Sequence, residues 1–137
     1  MENFIKFLSC FLLVFTLTAC SKNQGIKTRL DNSNVETKVS IEQAKKIVDE
    51  NKDLVIFDIR TKEEYDSGHI KSAILIPYDQ INENIDFIKK YKDKEVLVYC
   101  KTGRRSSIAI KALIDNNYSK IYHMNEGISR WKYDLAK

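Results

Sequence analysis

Cys100 has the strongest claim to chemistry in this chain because of the residues that follow it. The segment Cys100-Lys101-Thr102-Gly103-Arg104-Arg105-Ser106 sets one thiol among three cations and a glycine. A thiol acts as a nucleophile only when ionised, and nearby cations, a helix N-terminus or inward-pointing amides ionise it. Val96-Leu97-Val98-Tyr99, just before it, is an unbroken apolar run. Such a run suits a strand buried on both faces of a parallel sheet. Residues 105–116 then carry Ile108, Ala109, Ala112 and Leu113 at helical spacing. Cys100 is therefore expected at the carboxyl end of a strand, where open α/β sheets bind their ligands. The turn from strand into helix aims backbone N–H groups at one point, and Gly103 supplies the positive φ that a tight loop needs.

The charges of that helix point the same way. Helix starts favour acids, and helix ends favour bases. Here Lys101, Arg104 and Arg105 crowd the start, and the first acid is Asp115 near the far end. An anion, either a thiolate or an oxyanionic substrate, would complete such a site. Lys101, Arg104 and Arg105 are expected to bind the anionic part of a substrate, with Thr102 and Gly103 contributing backbone.

The rest of the chain narrows the chemistry. Its 137 residues make one domain, and 43% hydrophobic with 31% charged residues is enough for a packed core. The net charge of +4 is spread along the sequence, with no Lys/Arg-rich block. That gives nucleic-acid binding little support, so no nucleic-acid partner is expected, and leaves a weak preference for anionic substrates or anionic membrane surfaces. The carboxylates show no pairing that suggests acid/base work. His69 and His123 stand apart, and the cysteines lack ligand spacing, so no metal is expected. A thiol oxidoreductase would need C-x-x-C or a resolving partner for Cys100, and no such partner is expected in the mature chain.

The other two cysteines lie near the N-terminus. Lys6 precedes the apolar run Phe7–Ala19, too short for a membrane span but the length of a signal-peptide core. Leu17-Thr18-Ala19-Cys20 resembles the lipobox of bacterial lipoproteins. The resemblance implies that residues 1–19, including Cys10, leave with the signal peptide. It also implies that Cys20 carries the lipid and that the protein is extracytoplasmic, anchored to a bacterial membrane. The alternative is an ordinary signal peptide or uncleaved anchor with a chance cysteine. Residues 20–37 are polar and aperiodic and read as a lipidated N-terminus and flexible tether, and 38–137 as the folded domain.

Within that domain, Ser40 and Gln43 form a capping-box start for a helix over 41–51. Leu54–Phe57 and Ala73–Ile76 read as strands, the second stopped by Pro77. Ile81, Ile85 and Ile88 predict a helix over 80–91, Ile121-Tyr122 a fourth strand, and 128–135 a last helix with Trp131 and Leu135. Strands alternating with helices give an α/β domain with a parallel sheet.

These landmarks together resemble the rhodanese family over about 38–135. Cys100–Ser106 is similar to its active loop, and Asp58-Ile59-Arg60 to its Asp-x-Arg. Glu64-Tyr65, Gly68-His69-Ile70 and Ile76-Pro77 are similar to its middle segment, and Gly127-Ile-Ser-Arg-Trp131 to its closing Gly-x3-Trp. Glu126 departs from the pattern, standing where a second glycine is usual. The resemblance implies a three-layer domain, with a central parallel sheet of about five strands and helices on both faces. It also implies sulfur transfer through a Cys100 persulfide, from thiosulfate or a persulfide donor to a thiol or cyanide acceptor. No cofactor is needed for this, and a monomer is expected. Sulfur-transferring members resemble C-x4-R and relatives acting on phosphate esters C-x5-R; Cys100 to Arg105 is C-x4-R. The alternative is a persulfide-carrying or binding module with little turnover. Arg60 is counted with the substrate-binding residues, although a brace to Asp58 is the commoner role for such a pair. Asp58, His69 and Ser106 are expected to support the site, His69 through a turn-stabilising hydrogen bond. His123 is expected at a strand end, with Trp131 and Tyr133 closing the core.

Overall fold

The computed structural model describes residues 35–137. The expected signal peptide, the lipidation site Cys20 and the tether as far as Asn34 lie outside the described residues. In chain order the elements are β1 (Glu36–Val39), α1 (Ile41–Glu50), β2 (Val55–Asp58), α2 (Lys62–Asp66), β3 (Ile74–Leu75), α3 (Ile85–Ile88), β4 (Val96–Tyr99), α4 (Arg104–Asp115) and β5 (Ile121–Met124). The strands form one five-stranded sheet in the order β1-β5-β4-β2-β3, every pairing parallel. Parallel neighbours need crossovers, and the helices supply them on both faces of the sheet.

Alternation along the strands sorts the core into two clusters. Val96, Val98 and Cys100 of β4 and its end point to the face covered by Ile88 of α3 and by Ala109, Ile110 and Leu113 of α4. Leu97 and Tyr99 point to the other face, against Ile41 and Ala44 of α1 and against Ile128. The central strand is wholly buried, which is why its sequence is continuously apolar. At the start of α1, Ser40 Oγ accepts from Gln43 N at 3.2 Å and Gln43 Oε1 accepts from Ser40 N at 2.9 Å, completing the expected capping box.

Four expectations need correction. The sheet begins at Glu36, so the last two residues of the expected tether belong to β1. This is an edge strand with one neighbour, and its Thr37 and Lys38 are exposed, so it carries no apolar signature. The short helix α2, capped by Thr61 and Glu64, was not foreseen. The expected helix over 80–91 is broken into a 3-10 turn at Tyr78–Gln80, α3, and a second 3-10 turn at Lys89–Tyr91. Asn82 and Asn84 are poor helix formers whose amides compete for backbone, and Asn84 Nδ2 donates to Gln80 O at 2.9 Å. The last helix is a single 3-10 turn, Ile128–Arg130. Beyond it the chain is extended: Trp131 meets Tyr133 edge-on at 5.2 Å, and Ala136 pairs antiparallel with His69.

Candidate active site

Cys100 leaves β4 at its carboxyl end, and α4 begins four residues later, with Gly103 as its N-cap in the left-handed region at φ 93°. The loop therefore turns back over the thiol, and the Gly103 N–H donates to Cys100 Sγ at 3.0 Å. Ser106 Oγ lies 3.6 Å from the same sulfur. Burial pushes the Cys100 thiol up. The Ser106 hydroxyl and the backbone N–H groups of Ser106, Thr102 and Gly103 outweigh that effect, leaving the thiol below its ordinary value. Cys100 is only 1% exposed, so the sulfur sits at the floor of its cradle with a narrow approach.

Two glycines allow this cradle to close. A Cβ on Gly103 would collide with the carbonyl of Asn125, and one on Gly127 with the backbone of Lys101. The segment after β5 thus lies directly against the Cys100 loop. Ile128 N donates to Cys100 O at 2.9 Å and Ser129 N to Lys101 O at 3.0 Å. The closing Gly-x3-Trp segment therefore holds the loop through backbone hydrogen bonds. Glu126, the departure from the family pattern, is exposed beside it.

The remaining site residues fall into three groups. Lys101, Thr102 and Arg104 are exposed on the loop. Arg105 instead makes a two-pronged ion pair with Glu64 of α2, at 2.7 and 2.8 Å. The Arg105 guanidinium holds the Glu64 carboxyl down at about 2. Arg60 and Asp58 lie behind the loop and are both buried. Arg60 Nε donates to both Asp58 oxygens at 2.9 and 3.0 Å, and its Nη2 to Gly68 O at 2.8 Å. With those acceptors around it, the guanidinium braces the end of β2 to the Gly68 turn. This differs from the anion-binding role expected of it. Tyr99 completes the brace, donating to Asp58 at 2.7 Å and accepting from Ile70 N at 3.1 Å. His69 stacks on Tyr65 at 3.7 Å with Nδ1 3.1 Å from Tyr65 O, a contact that holds the turn.

A cleft of about 250 Å³, lined by Arg60, Glu64, Gly68, Lys101, Ile128 and Ser129, opens beside the loop. The larger cleft, about 860 Å³, lies between α1 and Trp131 and contains no residue of the Cys100 loop. Among the described residues no cluster of His, Cys, Asp or Glu could hold a metal. No described helix is long and apolar enough to cross a membrane.

The sequence reading missed two residues that touch this site. His123 is buried, with Nε2 2.7 Å from Ser106 Oγ and Nδ1 2.7 Å from Glu36 Oε1. The available signal was its position two residues after the buried Ile121, on the face of β5 that meets α4. The partner Glu36 carried no signal, because β1 was not recognised.

Residues 40–134 match the family model described as Rhodanese-like domain. The chain belongs to the rhodanese-like domain family. Among curated relatives, it is 32% identical over 108 residues to the tRNA uridine(34) hydroxylase of Buchnera aphidicola subsp. Baizongia pistaciae. That match takes in 76% of this chain and 34% of the relative, so the chain spans about a third of that protein's length. Among solved structures, a rhodanese-like domain protein from Staphylococcus aureus superposes with a TM-score of 0.65 at 28% identity, covering 73% of this chain and 96% of that one. A Rhodopseudomonas palustris protein of unknown function, described as a possible tyrosine phosphatase, superposes at 0.64 with 27% identity, covering 74% and 82%. The five-stranded parallel sheet with helices on both faces is the rhodanese-like fold.

Proposed function

We propose that this rhodanese-like domain is a sulfurtransferase that carries a sulfane sulfur as a persulfide on Cys100. The observation that bears most weight is the cradle of Cys100 Sγ, with the Gly103 N–H at 3.0 Å and the thiol held below its ordinary value at the start of a helix. The thiolate attacks the outer sulfur of thiosulfate or of a donor persulfide. A new S–S bond forms on Cys100, the donor's S–S bond breaks, and sulfite or a thiolate leaves with the electron pair. The loop amides then face the persulfide anion as preorganised donors. A thiol acceptor, or cyanide in an assay, attacks the outer sulfur and restores the Cys100 thiolate.

Loop length and access both support sulfur over phosphate as the transferred group. The C-x4-R spacing from Cys100 to Arg105 is the shorter of the two that the resemblance distinguishes. A nucleophile that is 1% exposed suits an electrophile presenting a single small atom. Lys101 and Arg104, exposed on the loop, would attract the sulfonate end of thiosulfate. The lipobox-like Leu17–Cys20 adds a membrane anchor and an extracytoplasmic location to this proposal. A persulfide carrier with little turnover is the second reading, favoured by the same narrow approach to the sulfur.

Intact-mass measurement after thiosulfate exposure tests the proposal. The expected result is a gain of one sulfur atom, lost on adding cyanide and absent from Cys100→Ser. No gain by the wild type, or the same gain by the Ser variant, refutes it. A gain that cyanide removes once, without continuing thiocyanate production, identifies the carrier.

A further inference from the structure

Beneath α4 a chain of hydrogen bonds runs from the sheet edge to the thiol. Glu36 Oε1 lies 2.7 Å from His123 Nδ1, His123 Nε2 lies 2.7 Å from Ser106 Oγ, and Ser106 Oγ lies 3.6 Å from Cys100 Sγ. His123 and Ser106 are 1% and 0% exposed. Three strands and a helix bring these four side chains together. Glu36 lies on β1, His123 on β5, Cys100 at the end of β4 and Ser106 in the first turn of α4.

We propose that Glu36, His123 and Ser106 form a relay that takes the proton of the Cys100 thiol and keeps it at His123 while the thiolate reacts. A carboxylate only accepts, so Glu36 fixes the proton on Nδ1 and leaves Nε2 to exchange with Ser106. While the thiol is still protonated, the Ser106 hydroxyl donates to bare Nε2. On ionisation the Cys100 S–H bond breaks and its proton moves to Ser106 Oγ, while the Ser106 proton moves to Nε2. A neutral thiol and imidazole thereby become a thiolate and an imidazolium, with no net proton taken up. Ser106 then donates to the sulfur, and Glu36 balances the new positive charge.

Local bonding permits the exchange. Ser106 Oγ also reaches Gly103 O at 2.7 Å, but that carbonyl accepts from Ser107 N and Ser107 Oγ at 3.3 Å each. The carbonyl therefore stays satisfied when the Ser106 proton turns elsewhere. The groups around His123 come from three described elements. From β1 it faces Glu36 and its exposed register partner Lys38; from β4, Val98 and then Cys100; from α4, Ser106. Arg105, the loop cation next to Ser106 in sequence, is paired with Glu64.

The proposal rests on Cys100 being the nucleophile, and the three acting through it are positioning residues. Its test is the pH dependence of iodoacetamide alkylation of Cys100 in the full chain. Glu36→Gln keeps an acceptor for Nδ1 and removes the charge. Its alkylation at pH 6.5 should fall by about tenfold, the change expected from moving the thiol by one pH unit. The rate on the alkaline plateau should stay at the wild-type value. Ser106→Ala should show the same displacement. In a separate measurement, at a pH where Cys100 reacts as the thiolate, the relay requires the His123 nitrogen resonances of wild type to change from imidazolium-type to neutral-type once Cys100 is alkylated. An unchanged rate profile in Glu36→Gln, or His123 resonances unmoved by alkylation, overturns the relay. Neither readout needs sulfur transfer. A displaced profile in a protein that never gains sulfur would uphold the relay and refute the proposed function.

Discussion

The Glu64–Arg105 pair ties α2 to the first turn of α4, and Glu64→Gln measures what it contributes. Arg105 holds the Glu64 carboxyl at about 2 instead of the usual 4.5. At about 1.4 kcal/mol per pH unit that corresponds to roughly 3 kcal/mol in full. Both side chains are 25% exposed, so solvent and salt screen part of it. Glutamine also keeps the acceptor for Thr61 N, which Glu64 Oε2 now serves at 3.1 Å. The expected loss at pH 7 is therefore about 1–2 kcal/mol, or a urea midpoint lower by about 0.5–1 M for a domain of this size. The sign with pH follows from a carboxyl lowered by folding. The stabilisation is complete above the unfolded value of 4.5 and drains away as pH falls from 4.5 toward 2. Urea titrations of both proteins at pH 7 and at pH 3 provide the assay, with the gap between them narrowing at pH 3. A gap that is the same at both values, or absent at pH 7, would show that the ion pair is not what holds α2 to α4.

Two further expectations follow from the same geometry, and a third from the lipobox-like Leu17–Cys20. Tyr99→Phe removes a hydrogen bond to buried Asp58 and strands the Ile70 N–H, so thermal or chemical denaturation should show a loss of about 3 kcal/mol. Gly127→Ala forces a side chain into φ 73°, ψ 171° and against the Lys101 backbone. It should cost about 3 kcal/mol in denaturation and slow Cys100 alkylation at neutral pH, because the displaced loop no longer aims its amides at the sulfur. Cys20→Ala should leave the precursor uncut and without lipid, read by intact mass and by its partition in a detergent phase separation.

The chemistry-bearing loop and most of the sheet were legible because their signals are local. A strand buried on both faces has to be apolar along its whole length, so Val96–Tyr99 announced itself. The order of a thiol, a glycine and cations before a helix belongs to one stretch of chain, and so does the Ser40 cap. Side chains with two readings were legible only in part. Arg105 reads from the sequence as part of an anion site, and Glu64, 41 residues away in sequence, makes it half of an ion pair.

The sequence by itself determined the α/β class, the place of Cys100 at a strand end and the polarity of the loop around it. The tertiary structure alone decided what surrounds the sulfur. Glu36 reads as part of a polar tether, and His123 as an ordinary strand residue. They become neighbours because β1 adds to the sheet beside β5, in a register set by backbone hydrogen bonds. Gly127 likewise belongs to the loop only because β5 lies beside β4 and brings the Met124–Gly127 turn against Lys101. Such contacts join residues far apart in the chain. They arise from sheet order and helix packing, which depend on the whole core and which no short segment encodes.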